Sequence, residues 1–262
     1  MMTTDLERRL RFGTNADIIS IFDAFNVVNA NIDLGDFFWY LSDVFTMGVQ
    51  YGGRTAMCDR FADPSWNMSH PEAGLAAFAN EKKVYVDEYD AESLKNITYD
   101  FQKNYRQWTW QYCTEFGWFQ EPNSFYPQRS QLLNSTYWLD YCKRIFGDSY
   151  TEPAIQYAHS YYGDTHMTGE HIYFVNSVED PWQYAGMRYL TDPDGTQKKM
   201  KAGYVNCPDC AHCRDLKVPA ESDPQAVKEI QMDVKNTLVE WMNLTKVPQP
   251  AEAEEDMAFL QN

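Results

Sequence analysis

The chain has 262 residues and a formal net charge of −16, from 22 Lys and Arg against 38 Asp and Glu. That balance excludes nucleic acid as a partner, because phosphate binding needs clustered cations, and no apolar run is long enough to span a membrane. The length permits one large domain or two smaller ones, and 8 Trp, 18 Tyr and 15 Phe require a ring-rich interior or pocket, since so many exposed rings would make a sticky surface.

Met1 to Arg11 is polar and charged and lacks the apolar core of a signal peptide. From Asp17 to Tyr51 the spacing of Ile18, Ile21, Phe22 and Phe25, then Phe37, Phe38, Leu41, Val44 and Phe45, predicts two helices. The turn between them carries Asn29, Asn31, Asp33 and Gly35, Asp36 is placed to cap the second helix, and Gly52-Gly53 ends it. Residues 63–74 read as loop and 72–87 as a further helical stretch.

The block from Tyr105 to Gln120 is ring-bearing or polar without a period of two or 3.6, and reads as irregular, either pocket-lining or an aromatic piece of core. Leu132 to Phe146 reads as a helix ended by Gly147. The character changes after Gly169. His171 to Ser177 is a short β-rich run of the kind that forms a buried parallel strand. A turn then delivers Glu179-Asp180-Pro181 and a helix from Trp182 to Leu190, with Pro181 suited to its first position. Lys201 to Asn206 is a second strand, and Asp223 precedes a helix whose apolar face runs through Val227, Ile230, Val234, Leu238 and Trp241. The expected organisation is a mainly helical region over 1–165, an α/β region over 166–246 and a disordered acidic tail over 247–262.

Six cysteines and sequons at Asn67, Asn96, Asn134 and Asn243 point together to an oxidising lumen and glycosylation. The acidic balance suits a low-pH compartment, where part of the carboxylate repulsion is neutralised. The polar start carries no entry signal, which makes sense if an amino-terminal part precedes Met1.

The chemistry centres on Asp180 and His212. Each follows a predicted strand, so both emerge on the carboxyl edge of one parallel sheet, where open α/β folds collect their ligands. Acid then base is the order of the α/β-hydrolase triad, in which the carboxylate fixes the imidazole tautomer and the imidazole takes a proton from a serine. Taken without that context, Asp180 is a helix cap and His212 a loop residue. No serine of this chain has the flanking glycines of G-x-S-x-G, so the nucleophile and its oxyanion hole are expected upstream of Met1, and the chain alone is expected to be inactive. A zinc site from Cys207, Cys210, Cys213 and His212 is a rival reading of C-x-x-C-x-x-C, although no matching C-x-x-C exists elsewhere. A non-catalytic peptide-binding or dimerisation module is another. For substrate polarity, Glu115 could meet a terminal amine, and Arg106 or Arg129 a terminal carboxylate.

Several segments in order carry a resemblance: L-G-D-F-F-W-Y-L-S-D at 34–43, Q-Y-G-G-R at 50–54, W-x-W-Q-x-C-T-E-F-G-W-F-Q at 108–120, N-S-x-E-D-P-W at 176–182 and A-H-C-R-D-L-K at 211–217. Through them the chain resembles the family of lysosomal Pro-X carboxypeptidase, dipeptidyl peptidase II and the thymus-specific serine peptidase. The resemblance implies the later part of an α/β-hydrolase with a large inserted helical cap, and a serine exopeptidase acting on short peptides beside proline, in a lysosome, a vacuole or outside the cell. It implies Asp180 and His212 as triad acid and base, Trp182 beside the pocket for the residue preceding the cleaved bond, a disulfide from Cys113 to Cys142, and a partner for Cys58 outside this chain. It implies no cofactor or metal, and it admits a homodimer. Ser177 stands where the family usually has glycine, a position at which a positive φ would be costly for a residue with Cβ.

Overall fold

The computed structural model describes residues 2–63, 70–123, 125 and 127–242. The sequons at Asn67 and Asn243 and the acidic tail lie outside the described residues. The chain divides into two compact units, 1–167 and 168–262.

The first unit is helical: α1 (Met2–Phe12), α2 (Asn15–Ala24), α3 (Leu34–Gln50), α4 (Arg54–Ala62), α5 (Pro71–Lys82), α6 (Ala91–Leu94), α7 (Tyr105–Gln111), α8 (Ser135–Phe146) and α9 (Ile155–Tyr162). Its centre is α3, which buries apolar positions almost all round because neighbours cover it on several sides. Asp33 caps this helix by accepting from the Gly35 amide at 2.7 Å. Asp36, expected as the cap, lies inside the first turn instead, where its fully buried carboxylate accepts from Arg144 and Tyr137 of α8 and from the Ala91 amide. Gly35 has a packing reason as well: a Cβ there would run into the Tyr137 ring, so only glycine lets α3 approach α8 this closely.

The aromatic block 105–120 is more regular than its sequence predicts. Tyr105–Gln111 is helical and Tyr112–Phe116 continues as a π-helical turn, closed where Gly117 adopts φ 73°. The turn buries Tyr112 and Cys113 beside Trp39, Tyr89, Trp138 and Tyr141, whose rings meet largely edge to face with centroids about 5–6 Å apart, the arrangement that ring quadrupoles favour. Cys113 is disulfide-bonded to Cys142 on α8.

In the second unit, β1 (Ile172–Ser177) and β2 (Met200–Val205) form a two-stranded parallel sheet, with Ile172 opposite Met200 and Ser177 opposite Val205. The helix α10 (Gln225–Trp241) packs on β2. Its Val227 and Ile230 join Val205 and Cys210 in a small core, and Ile230 rests where a Cβ on Gly203 would stand. Lys201 Nζ donates to Thr237 Oγ1 at 2.8 Å along the same contact.

Two helix ends differ from expectation. The predicted helix 182–190 is only a 3₁₀ turn, Pro181–Tyr184, because Gly186 interrupts it and the Met187 carbonyl accepts from Asn176 Nδ2 at 2.8 Å rather than from a following turn. Asp223 does not cap α10. Its carboxylate accepts from Arg214 at 2.6 Å and from the Ala220 amide at 2.7 Å, while Pro224 holds the cap position. Ser177 has no positive φ, because it is the paired last residue of β1, so its Cβ brings no backbone strain.

Candidate active site

Both loops that matter leave the same end of the parallel pair. Beyond Ser177 and Val205 the pairing continues for one more bond, from the Val178 amide to the Val205 carbonyl at 2.9 Å, and the Glu179 amide then donates to the Cys210 carbonyl at 3.2 Å. That second bond ties the turn carrying Asp180 to the loop carrying His212. The loop is tightened further by a disulfide from Cys207 to Cys210 and by left-handed backbone at Asp209 and Cys213.

Asp180 is the N-cap of the 3₁₀ turn. Its Oδ1 accepts from the Trp182 amide at 2.8 Å, and its Oδ2 accepts from His212 Nδ1 at 2.9 Å. A carboxylate only accepts, so Nδ1 carries the hydrogen and the proton-accepting position of the neutral ring is Nε2. The Asp180 side chain is 10% exposed and that of His212 33%: the acid is held inside and the imidazole stands at the surface. Cap and triad-like contact are served by different oxygens, so the two readings of Asp180 coexist.

The surroundings fix the acid. Gln183 is buried, with Nε2 donating to the Val178 carbonyl at 2.9 Å and Oε1 accepting from Tyr204 Oη at 2.5 Å. Asn176 braces the same turn through Met187. Sequence reasoning did not single out Gln183, although a glutamine three residues after a capping aspartate is a readable signal for a braced turn. On the base side, burial pushes the Asp215 carboxyl up while His212 pulls it down, and burial, with Asp215 and Asp180 nearby, raises the Cys213 thiol.

Other predicted residues are placed as follows. Trp182 is half-buried next to Asp180. Glu115 is exposed on the π-helical turn of the first unit. Arg106 donates to the Leu94 carbonyl at 2.5 Å and lies over the Phe146 ring, and Arg129 donates to Thr46 and Gln120. Burial lowers the Arg129 pKa against the pull of Asp43. Arg106 is thus engaged within the protein, and Arg129 is engaged through Nη2 while its buried Nη1 has no hydrogen-bond partner. Among the described sequons, Asn96 is exposed with its Oδ1 accepting from the Thr98 amide, and Asn134 caps α8 through the Tyr137 amide. The zinc reading loses Cys207 and Cys210 to their disulfide, and among the described residues no group of three or more His, Cys, Asp or Glu is placed to hold a metal. No described helix is long and apolar enough to cross a membrane.

Known serine peptidases resemble this chain over much of its length. A probable serine protease of Arabidopsis thaliana is 27% identical over 219 residues, covering 81% of this chain and 43% of the relative. A probable extracellular serine carboxypeptidase of Arthroderma benhamiae is 28% identical over 169 residues, 61% of this chain and 23% of the relative. The human thymus-specific serine protease is 27% identical over 149 residues, 55% of this chain and 27% of the relative. The chain therefore spans less than half the length of these relatives. The family described as serine carboxypeptidase S28 matches residues 4–234, most of the sequence, and the chain belongs to that family of serine peptidases.

Proposed function

We propose that this chain supplies the acid and base of a serine exopeptidase that cleaves short peptides beside proline, and that it does not itself hold the nucleophile. The observation that supports the reading is the 2.9 Å contact from His212 Nδ1 to Asp180 Oδ2, set on the turn and loop that leave one end of a parallel strand pair. In the reaction, Nε2 of His212 accepts the proton of a serine hydroxyl as it attacks the scissile carbonyl and returns it to the leaving amine, while Asp180 holds the tautomer and stabilises the imidazolium.

In this reading the sheet and α10 belong to an α/β-hydrolase, and the helical unit is the cap inserted in it, with Trp182 lining the pocket on the acyl side. The chain's acidity and cysteines, and a relative named as extracellular, favour an acidic lumen or the outside of the cell. Glu115, exposed in the helical unit, remains a candidate for a terminal amine, with Arg106 or Arg129 as candidates for a terminal carboxylate.

The test is direct. The purified chain is assayed with chromogenic Xaa-Pro substrates and with a fluorophosphonate probe. No turnover above a buffer control and no labelling are expected; labelling of any serine would place a nucleophile within these residues and overturn that part of the reading.

A further inference from the structure

The helical unit carries an open cleft of about 960 Å³, lined by residues of the 87–100 segment, by α7 and by Phe146 of α8. Asn96, Ile97 and Thr98, the three residues of an N-x-T sequon, all lie on its lining and are all exposed. Asn96 Oδ1 accepts from the Thr98 amide at 2.9 Å. That bond does not use Nδ2, the nitrogen to which a glycan is joined, so any sugar attached there starts at the cleft wall. The rest of the lining has the chemistry of a sugar site. Trp110 is 51% exposed and Tyr99 81%. The Trp110 ring meets Phe146 edge to face at 5.0 Å, and Phe146 is covered in turn by the Arg106 guanidinium, which is anchored on the Leu94 carbonyl. A ring that is already held in place loses little freedom when the C–H face of a pyranose packs on it. Beside it, the Gln107 and Gln111 amides can both donate and accept, as sugar hydroxyls require. The carboxyl groups of Asp87, Glu88, Glu92 and Asp100 outnumber the cations Lys103 and Arg106, which disfavours an anionic sugar.

We propose that this cleft seats the protein's own glycan: a neutral N-linked oligosaccharide on Asn96 folds back into it and packs on Trp110 and Tyr99. The sugar comes from a lipid-diphosphate-linked oligosaccharide of the secretory route. A bond forms from Asn96 Nδ2 to C1 of the first sugar as the C1–O bond to the diphosphate breaks; the electron pair stays on the diphosphate and the amide proton is released to solvent. Once attached, the glycan meets the cleft without a further loss of translational freedom, so contacts too weak to hold a free sugar suffice. The proposal rests on the lumenal reading of the cysteines and sequons, and is independent of the peptidase chemistry.

The experiment uses the full chain, secreted behind an appended signal sequence from cells that make only high-mannose glycans, and read peptide by peptide by mass spectrometry. Asn96 should carry a glycan. Under native conditions an endoglycosidase should release it about tenfold more slowly from the parent than from Trp110→Ala, and the two should be cleaved at equal rates once unfolded. Hydroxyl-radical footprinting gives a second readout that leaves the cleft lining unchanged. Trp110 and Tyr99 should be less oxidised in the glycosylated parent than in Asn96→Gln, while Trp118, exposed elsewhere in the unit, should be oxidised equally in both. An unglycosylated Asn96 overturns the proposal together with the lumenal reading of that sequon. A glycosylated Asn96 with equal oxidation of Trp110 and Tyr99 in parent and Asn96→Gln overturns the seating in the cleft and leaves the lumenal reading standing.

Discussion

Arg144 grips both oxygens of Asp36 across the helical unit, at 2.9 and 2.7 Å, from a position 108 residues later in the chain. Asp36 is fully buried and also accepts from Tyr137 Oη at 3.0 Å and the Ala91 amide at 2.9 Å. Burial works against the Arg144 charge, but hydrogen bonding and attraction to Asp36 outweigh it and hold the guanidinium above its ordinary pKa. Removing one partner strands a buried charge, so Arg144→Met should destabilise the chain by about 3 kcal/mol. Urea titration measures this; a loss under about 1 kcal/mol would mean that the pair is far better solvated than its burial implies.

Glu88 makes the helical unit sensitive to pH. Burial pushes its carboxyl up to about 7, against the hydrogen bond from Tyr105 and with Asp87 adding to the rise. The folded state therefore holds this proton more tightly than the unfolded chain, whose value is near 4.5. Its stabilising contribution is complete below that lower value and is lost as pH climbs through about 7. Glu88→Gln should match the parent at pH 4 and exceed it at pH 8 by about 1 kcal/mol once solvent screening is allowed for. Unfolding curves at the two pH values decide, and equal differences at both would contradict the assignment.

The disulfide between Cys113 and Cys142 closes a span of 29 residues and fastens the π-helical turn to α8. Constraint of the unfolded chain over that span is worth about 3.5 kcal/mol. The Cys113→Ala, Cys142→Ala double variant should lose roughly that much in equilibrium unfolding and should expose the Tyr112 and Trp138 rings to quenchers. Retained stability would show that the aromatic packing suffices.

The two described sequons should respond differently to substitution. Asn134 caps α8, so Asn134→Ala should cost about 1 kcal/mol, whereas Asn96→Gln, on an exposed turn, should be neutral in the unglycosylated chain. Expressed through a secretory route, the parent should shift on deglycosylation and Asn96→Gln should shift less. An unchanged shift would exclude Asn96 as an acceptor.

What the sequence revealed depends on whether a residue's partner is local. The β-rich run of β1, the equally short β2 and the apolar face of α10 are local patterns, and the acid and histidine behind the two strands follow from them. The helix α4 is not legible because it packs on the core through only Met57 and Phe61, both part-buried, too few apolar positions to set a period. Asp36 and Asp223 look like caps from their neighbours alone; their real partners, Arg144 and Arg214, are set by tertiary packing. Three cysteines spaced by three leave their pairing open, with a metal site only a weak rival, and only the fold shows which pair has closed.

The central claim is that Asp180 fixes the tautomer of His212, and nitrogen-detected NMR of the imidazole tests it without a nucleophile or a substrate. In the parent near neutral pH the ring should carry its hydrogen on Nδ1, in a hydrogen bond that protects it from solvent exchange. Asp180→Asn should abolish that protection while Trp182 and the fold remain in place. A parent ring protonated on Nε2, or one that Asp180→Asn leaves unaltered, would contradict the account.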